Sequence, residues 1–167
     1  MTIRLIAPAA FALAAAISTP AFADDAAAQN AKVSISKAVE AAEAKAGGKA
    51  TEAEYEDDNG GRWEVKVLAD GGAKLTKYFI DPNSGQVTGE EEQTFEKYFT
   101  MLKPEDFAKA QTQLKDAIAA AEAFAKGKAV QAEVEREGDS VAYEIDVATA
   151  DGDKDVKVDA TGKATAD

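Results

Sequence analysis

Ile35-Ser-Lys-Ala-Val-Glu-Ala-Ala-Glu-Ala-Lys-Ala-Gly-Gly-Lys-Ala-Thr-Glu-Ala-Glu-Tyr55 and Leu114-Lys-Asp-Ala-Ile-Ala-Ala-Ala-Glu-Ala-Phe-Ala-Lys-Gly-Lys-Ala-Val-Gln-Ala-Glu-Val134 write one pattern twice, 79 positions apart. Ala38-Val39 corresponds to Ala117-Ile118, Glu43-Ala44 to Glu122-Ala123, and Gly48-Lys49-Ala50 to Gly127-Lys128-Ala129. Ile35, Ala38, Val39, Ala42 and Ala46 recur at helical spacing, with Lys37, Glu40 and Glu43 off the stripe. Ser34 or Ser36 can cap this helix through its hydroxyl. Gly47-Gly48 is expected to end the first helix and Gly127 the second, because glycine takes the left-handed cap conformation without steric cost.

Each helix leads into strands. Thr51, Ala53 and Tyr55 alternate with Glu52, Glu54 and Glu56, a period of two with one face buried. Asp57 to Gly61 turns the chain, and Trp63, Val65 and Val67 mark a second strand. Asp70-Gly71-Gly72 turns again. Leu75 to Ile80 is a third strand in which Leu75 is out of phase with Tyr78 and Ile80, as a bulge would make it. Asp81-Pro-Asn-Ser-Gly85 is a further turn, and Gln86 to Thr88 a short returning strand. The second copy repeats this with Val130, Ala132 and Val134, then Tyr143, Ile145 and Val147, then Val156 and Val158 before a turn at Asp159 to Gly162.

Between the copies, Glu90-Glu91-Glu92 is read as the start of a helical connector. Phe95, Tyr98, Phe99 and Leu102 lie at helical spacing, and Pro104 suits the first residue of the next helix. From Glu105, the residues Phe107, Ala110, Leu114, Ala117, Ile118, Ala121 and Phe124 keep the period, which predicts one helix of about twenty residues. The resulting architecture is α+β: two tandem repeats, each one helix packed on a small antiparallel three- to four-stranded sheet, joined by a helical connector. Residues 24–89 form the first module, 90–113 the connector and 114–167 the second module.

Residues 1–23 read as a signal peptide. Arg4 precedes an apolar run from Leu5 to Ile17, and Ala21-Phe22-Ala23 has the small-x-small form of a cleavage site. The run is too short for a convincing membrane span. Cleavage after Ala23 would deliver the product to the periplasm or the medium with no stable membrane anchor. Asp24 to Ala31 is expected to fray. The chain has no cysteine, so no disulfide supports it. Its formal charge of −12 makes nucleic acid and anionic membranes poor partners. The acid is concentrated in the strand halves: residues 52–92 and residues 131–167 each carry 11 acids against 4 bases.

Several of these elements together resemble the PepSY domain. They are a helix ending in Gly-Lys-Ala (Gly48-Lys49-Ala50, Gly127-Lys128-Ala129), a strand with alternating acids (Glu52 to Glu56, Glu133 to Glu137), and an aromatic-led strand (Trp63-Glu-Val-Lys-Val67, Tyr143-Glu-Ile-Asp-Val147). A closing turn completes the set (Ile80-Asp81 to Gly85, Val158-Asp159 to Gly162). The resemblance implies a helix packed on an antiparallel sheet. It also implies non-catalytic binding that regulates or inhibits peptidases, with an exported peptidase or another envelope protein as partner.

The residues themselves argue against an enzyme. Histidine and cysteine are both missing, which removes the commonest base and the strongest nucleophile. Ser34, Ser36, Ser84 and Ser140 fall at caps or turns. Gly47-Gly-Lys-Ala-Thr51 follows a helix and precedes a strand, the reverse of a phosphate loop. Trp63 and Tyr143 are expected to fill the two cores. No cofactor is called for, apart from a divalent or trivalent hard cation. The candidate ligands are the carboxylates Glu133, Glu135, Glu144, Asp146, Asp151, Asp153 and Asp155, since such ions take oxygen donors. Asp151-Gly-Asp-Lys-Asp155 does not make an EF-hand, because Val156 stands where that loop needs glycine.

Overall fold

The computed structural model describes residues 22–93 and 102–167. The elements run α1 (Phe22–Asn30), α2 (Ile35–Ala46), β1 (Lys49–Glu56), β2 (Arg62–Ala69), β3 (Lys74–Ile80), β4 (Val87–Glu92), α3 (Pro104–Lys109), α4 (Leu114–Ala125), β5 (Lys128–Glu137), β6 (Ser140–Thr149), β7 (Gly152–Asp159) and β8 (Ala164–Ala166). Each copy is a helix pair followed by a four-stranded meander. The copies do not keep separate sheets. They fuse into one antiparallel sheet of eight strands, in the order β4-β3-β2-β1-β5-β6-β7-β8.

The join is β1 against β5, with Ala53 opposite Ala132, Glu52 opposite Glu133 and Glu54 opposite Gln131. Ala53 and Ala132 are themselves equivalent residues of the two copies, so a local two-fold axis passes between them. Both are fully buried. On the same face, Trp63, Val65 and Val67 of β2 and Tyr143, Ile145 and Val147 of β6 are buried to within 1%. The apolar stripes of α2 (Ile35, Ala38, Val39, Ala42) and α4 (Leu114, Ala117, Ile118, Ala121) close over them as one core. The helix stripes read from periodicity are the observed ones except at Phe124, which is 50% exposed, and Ala125 takes the buried place at that end of α4.

Three devices recur in both copies. The first ties the segment before the main helix to the sheet. Trp63 Nε1 donates to the Val33 carbonyl at 2.9 Å, and the Tyr143 hydroxyl donates to the Thr112 carbonyl, 79 positions on. The amides of these same residues donate to the closing turns, Val33 to Pro82 O and Thr112 to Ala160 O. The second is a bulge at Thr51 and at Val130, each the extra residue in its strand. The third fixes the helix end to the bulged strand. Glu43 Oε1 accepts the Ala50 amide at 2.9 Å, and Glu122 Oε1 accepts the Ala129 amide at 3.0 Å.

The first device breaks the long helix expected from Glu105 onward. The chain forms α3, leaves helical geometry at Ala110 (ψ 131°) and Gln113 (ψ 165°), and re-enters as α4. An unbroken helix would deny the Thr112 amide and carbonyl to Ala160 and Tyr143. Two tertiary hydrogen bonds thus override the 3.6-residue period. The same four-residue link joins α1 to α2, so Asp24 to Ala31 does not fray as expected: α1 runs to Asn30 and Ala28 is buried. Pro104 does open α3.

Other expectations need correction. Glu90, Glu91 and Glu92 belong to β4, not to a connector. The helix expected at Phe95, Tyr98 and Phe99 lies outside the described residues, as does most of the 1–23 leader. Leu75 makes no bulge against β2; it lies on the face away from the helices, paired with Leu68. Thr51 and Val130 are the bulged residues, and Ala50 and Ala129 take the inward places opposite Val67 and Val147. Ser34 stands at the N-cap, but its hydroxyl makes no capping bond. The second copy adds the short β8 after its closing turn.

The glycines also divide their roles. Gly47 caps α2 in the left-handed region (φ 68°), but in α4 that place falls to Lys126 (φ 61°), and Gly127 is not the cap. Gly48 and Gly127 are required for a different reason: a Cβ at either would run into a carbonyl of the neighbouring strand, Leu68 O or Ala148 O. Gly127→Ala should therefore destabilise by about 1–3 kcal/mol, the range for overpacking. Lys126→Gly should instead stabilise by roughly 0.5–1 kcal/mol by relieving a left-handed non-glycine residue. Urea unfolding of the two variants checks the opposite signs.

Candidate functional site

The face of the sheet away from the helices carries the charge, and the two copies use it differently. In the first copy Glu52 and Glu64 are ion-paired, although Glu54 stands opposite Glu64 in register. Lys66 Nζ lies 2.5 Å from Glu52 Oε1, across the β1–β2 pair. Glu64, only 5% exposed, accepts from Arg62 on its own strand and from Lys77 on β3. The Arg62 guanidinium also sits 4.3 Å above the Phe79 ring. Burial pushes the Glu64 carboxyl up, but the Lys77 and Arg62 bonds outweigh it and hold the group below the ordinary glutamate value.

In the second copy, carboxylates face carboxylates. Glu133 of β5 is opposite Glu144 of β6, and Asp146 of β6 is opposite Asp155 of β7. Asp146 stands where the first copy has Lys66, so the ion pair to β1 has no counterpart on β5, where Gln131 replaces Glu52. Lys157 is opposite Glu144 in register, yet its amine reaches Glu137 at 2.7 Å. Like charges directly across an antiparallel pair are unfavourable. Partial burial, with Glu52 and Glu135 nearby, raises Glu133. Partial burial and Glu135 raise Glu144, while burial and Asp155 raise Asp146. Glu54, at the seam, is raised by burial and then by Glu52.

Of the seven candidate ligands, the structure brings three together. Glu133, Glu135 and Glu144 each offer an oxygen within 4.8 Å of the others. Two oxygens on one calcium ion can be about 5 Å apart, twice the usual Ca–O distance of ~2.4 Å, so the spacing suits a hard cation. Asp146 joins Asp155 in a separate pair. Asp153 lies on β7 opposite Ala148, and Asp151 sits in the β6–β7 turn, its amide donating to Thr149 Oγ1 at 3.2 Å. The Asp151 to Asp155 run is a turn followed by the start of β7. Sequence reasoning missed Glu52 as a neighbour of Glu133. Its proximity follows from the β1–β5 pairing, which no local signal marks.

This arrangement of helix, bulged strand and meander, written twice, defines a duplicated α+β module. The chain belongs to the PepSY family, described as peptidase propeptide and YPEB domain, and the family matches residues 32–91 and 114–164. No curated protein matches the chain. A solved structure of a candidate lipoprotein from Clostridium difficile 630 is similar in fold. It is 18% identical, with a TM-score of 0.50, and the match covers 85% of this chain and 96% of that one.

The Glu64 cluster gives a prediction with a definite sign. A carboxyl whose folded value is depressed stabilises above its unfolded value and loses that contribution as pH falls through the folded value. Glu64→Gln should cost roughly 1–3 kcal/mol at pH 7, the range for losing a charged partner of buried donors. The gap to the parent protein should close as the pH is taken below the ordinary glutamate range. Thermal melts of both proteins from pH 7 to pH 3 provide the check.

Proposed function

We propose that this protein is an exported, non-catalytic binding protein that regulates or inhibits peptidases through protein contact. The observation that carries this reading is the match of both copies to a family described by peptidase propeptides. Export is supported by the leader pattern of residues 1–23, with delivery to the periplasm or the medium. Among the described residues, no helix is long and apolar enough to cross a membrane. Absence of catalysis is supported by a chain without histidine or cysteine. Ser84 also serves local structure, its Oγ donating to Asp81 Oδ1 in a turn. The partner on this reading is an exported peptidase or another envelope protein. A pull-down from envelope extract at physiological salt, with an inhibition assay on the captured peptidase, should recover and slow such an enzyme. Recovery of no protein would refute the proposal.

One observation favours a second reading, a hard-cation site. It is the approach of Glu133, Glu135 and Glu144 oxygens to within 4.8 Å. Three carboxylates leave room for the waters that complete a calcium shell. On this reading calcium or a trivalent ion binds there and quiets the like-charge contact between β5 and β6. Calorimetric titration in chelator-treated buffer should show saturable binding that weakens at least about tenfold in Glu133→Gln plus Glu144→Gln, a loss of ~1.4 kcal/mol. Binding unchanged by that double substitution would remove the site.

A further inference from the structure

We infer that α1 is a clasp across the junction of the two modules, an element whose docking sets how tightly the halves of the sheet are coupled. Helix α1 packs against both β1 and β5, the two strands that form the junction. Ala28 is 6% exposed within the common core, and Ala31 packs at its margin. Lys128, the first residue of β5, donates its Nζ to the Gln29 carbonyl at 2.6 Å. A residue of the second copy thereby satisfies one of the carbonyls that the end of a helix leaves without an internal partner. On the other side, the chain is held to the first copy through the Val33 amide on Pro82.

The second copy shows what is particular to α1. Its counterpart is α3, and Phe107, 4% exposed, occupies the place of Ala28 at the 79-residue offset. Helix α3 packs against β6, within its own module. A phenylalanine anchors α3 by a large buried area, whereas among the described side chains of α1 the buried anchor is the Ala28 methyl, beside the Lys128 bond to Gln29. Elements with little buried apolar surface open locally at the lowest free energy. The clasp can therefore release while the core under α2 and α4 stays folded, and its release uncovers the one strand pair that joins the modules. This inference does not depend on the partner or the cation of the preceding section.

Amide exchange read by mass spectrometry on the full chain tests it with two variants, Ala28→Asp and Lys128→Ala. The expected result in Ala28→Asp is exchange at least tenfold faster in peptides covering residues 50–54 and 130–133, with peptides from β2 and β3 unchanged. Lys128→Ala, an exposed position, should give a smaller increase in the same peptides. Unchanged exchange at the junction, or an equal increase throughout the sheet in Lys128→Ala, would overturn the inference. If Ala28→Asp does not fold, Lys128→Ala alone decides between these outcomes.

Discussion

The pairing of β1 with β5 is the contact on which the rest of the fold depends. A unit of about sixty residues buries a limited core by itself. Here each copy leaves the first strand of its meander at an edge, and the two edges satisfy one another. Ala53 and Ala132 meet at the centre, small enough for α2 and α4 to lie side by side above them in one core. With that pair in place, two marginal layers become one eight-stranded layer, bounded among the described residues by β4 and β8.

The same pairing shapes the charged face. It brings Glu52 opposite Glu133, and Lys66 answers the first of these by ion pairing. The first copy pairs Glu52 and Glu64 with Arg62, Lys66 and Lys77. The second has kept the strand framework while replacing the equivalent lysine by Asp146. Duplication has thus preserved the backbone devices (aromatic tie, bulge, glutamate on the strand amide) and left the outer face to diverge. That pattern suits a scaffold whose fold is fixed by its inner face.

Much of this was legible in the sequence because it is local. The stripes Ile35–Ala42 and Leu114–Ala121 follow a helical period, and Trp63 and Tyr143 head strands of strict alternation. The grouping of Glu133, Glu135 and Glu144 follows from alternation plus a hairpin. The break at Ala110 to Gln113 was not legible, because apolar spacing runs through it and the cause is a hydroxyl and a carbonyl more than thirty residues away. Gly127 was visible as a special residue, but not as the site of close approach to Ala148. The junction itself gave no signal: strands β1 and β5 read like any half-buried strand, and nothing in either names the other.

Calorimetric melting of the full chain is the most direct test of the shared sheet. One fold predicts a single transition in which the calorimetric enthalpy equals the van't Hoff enthalpy. Two resolved transitions, each carrying part of the total enthalpy, would mean that the copies fold as separate units and would contradict the account.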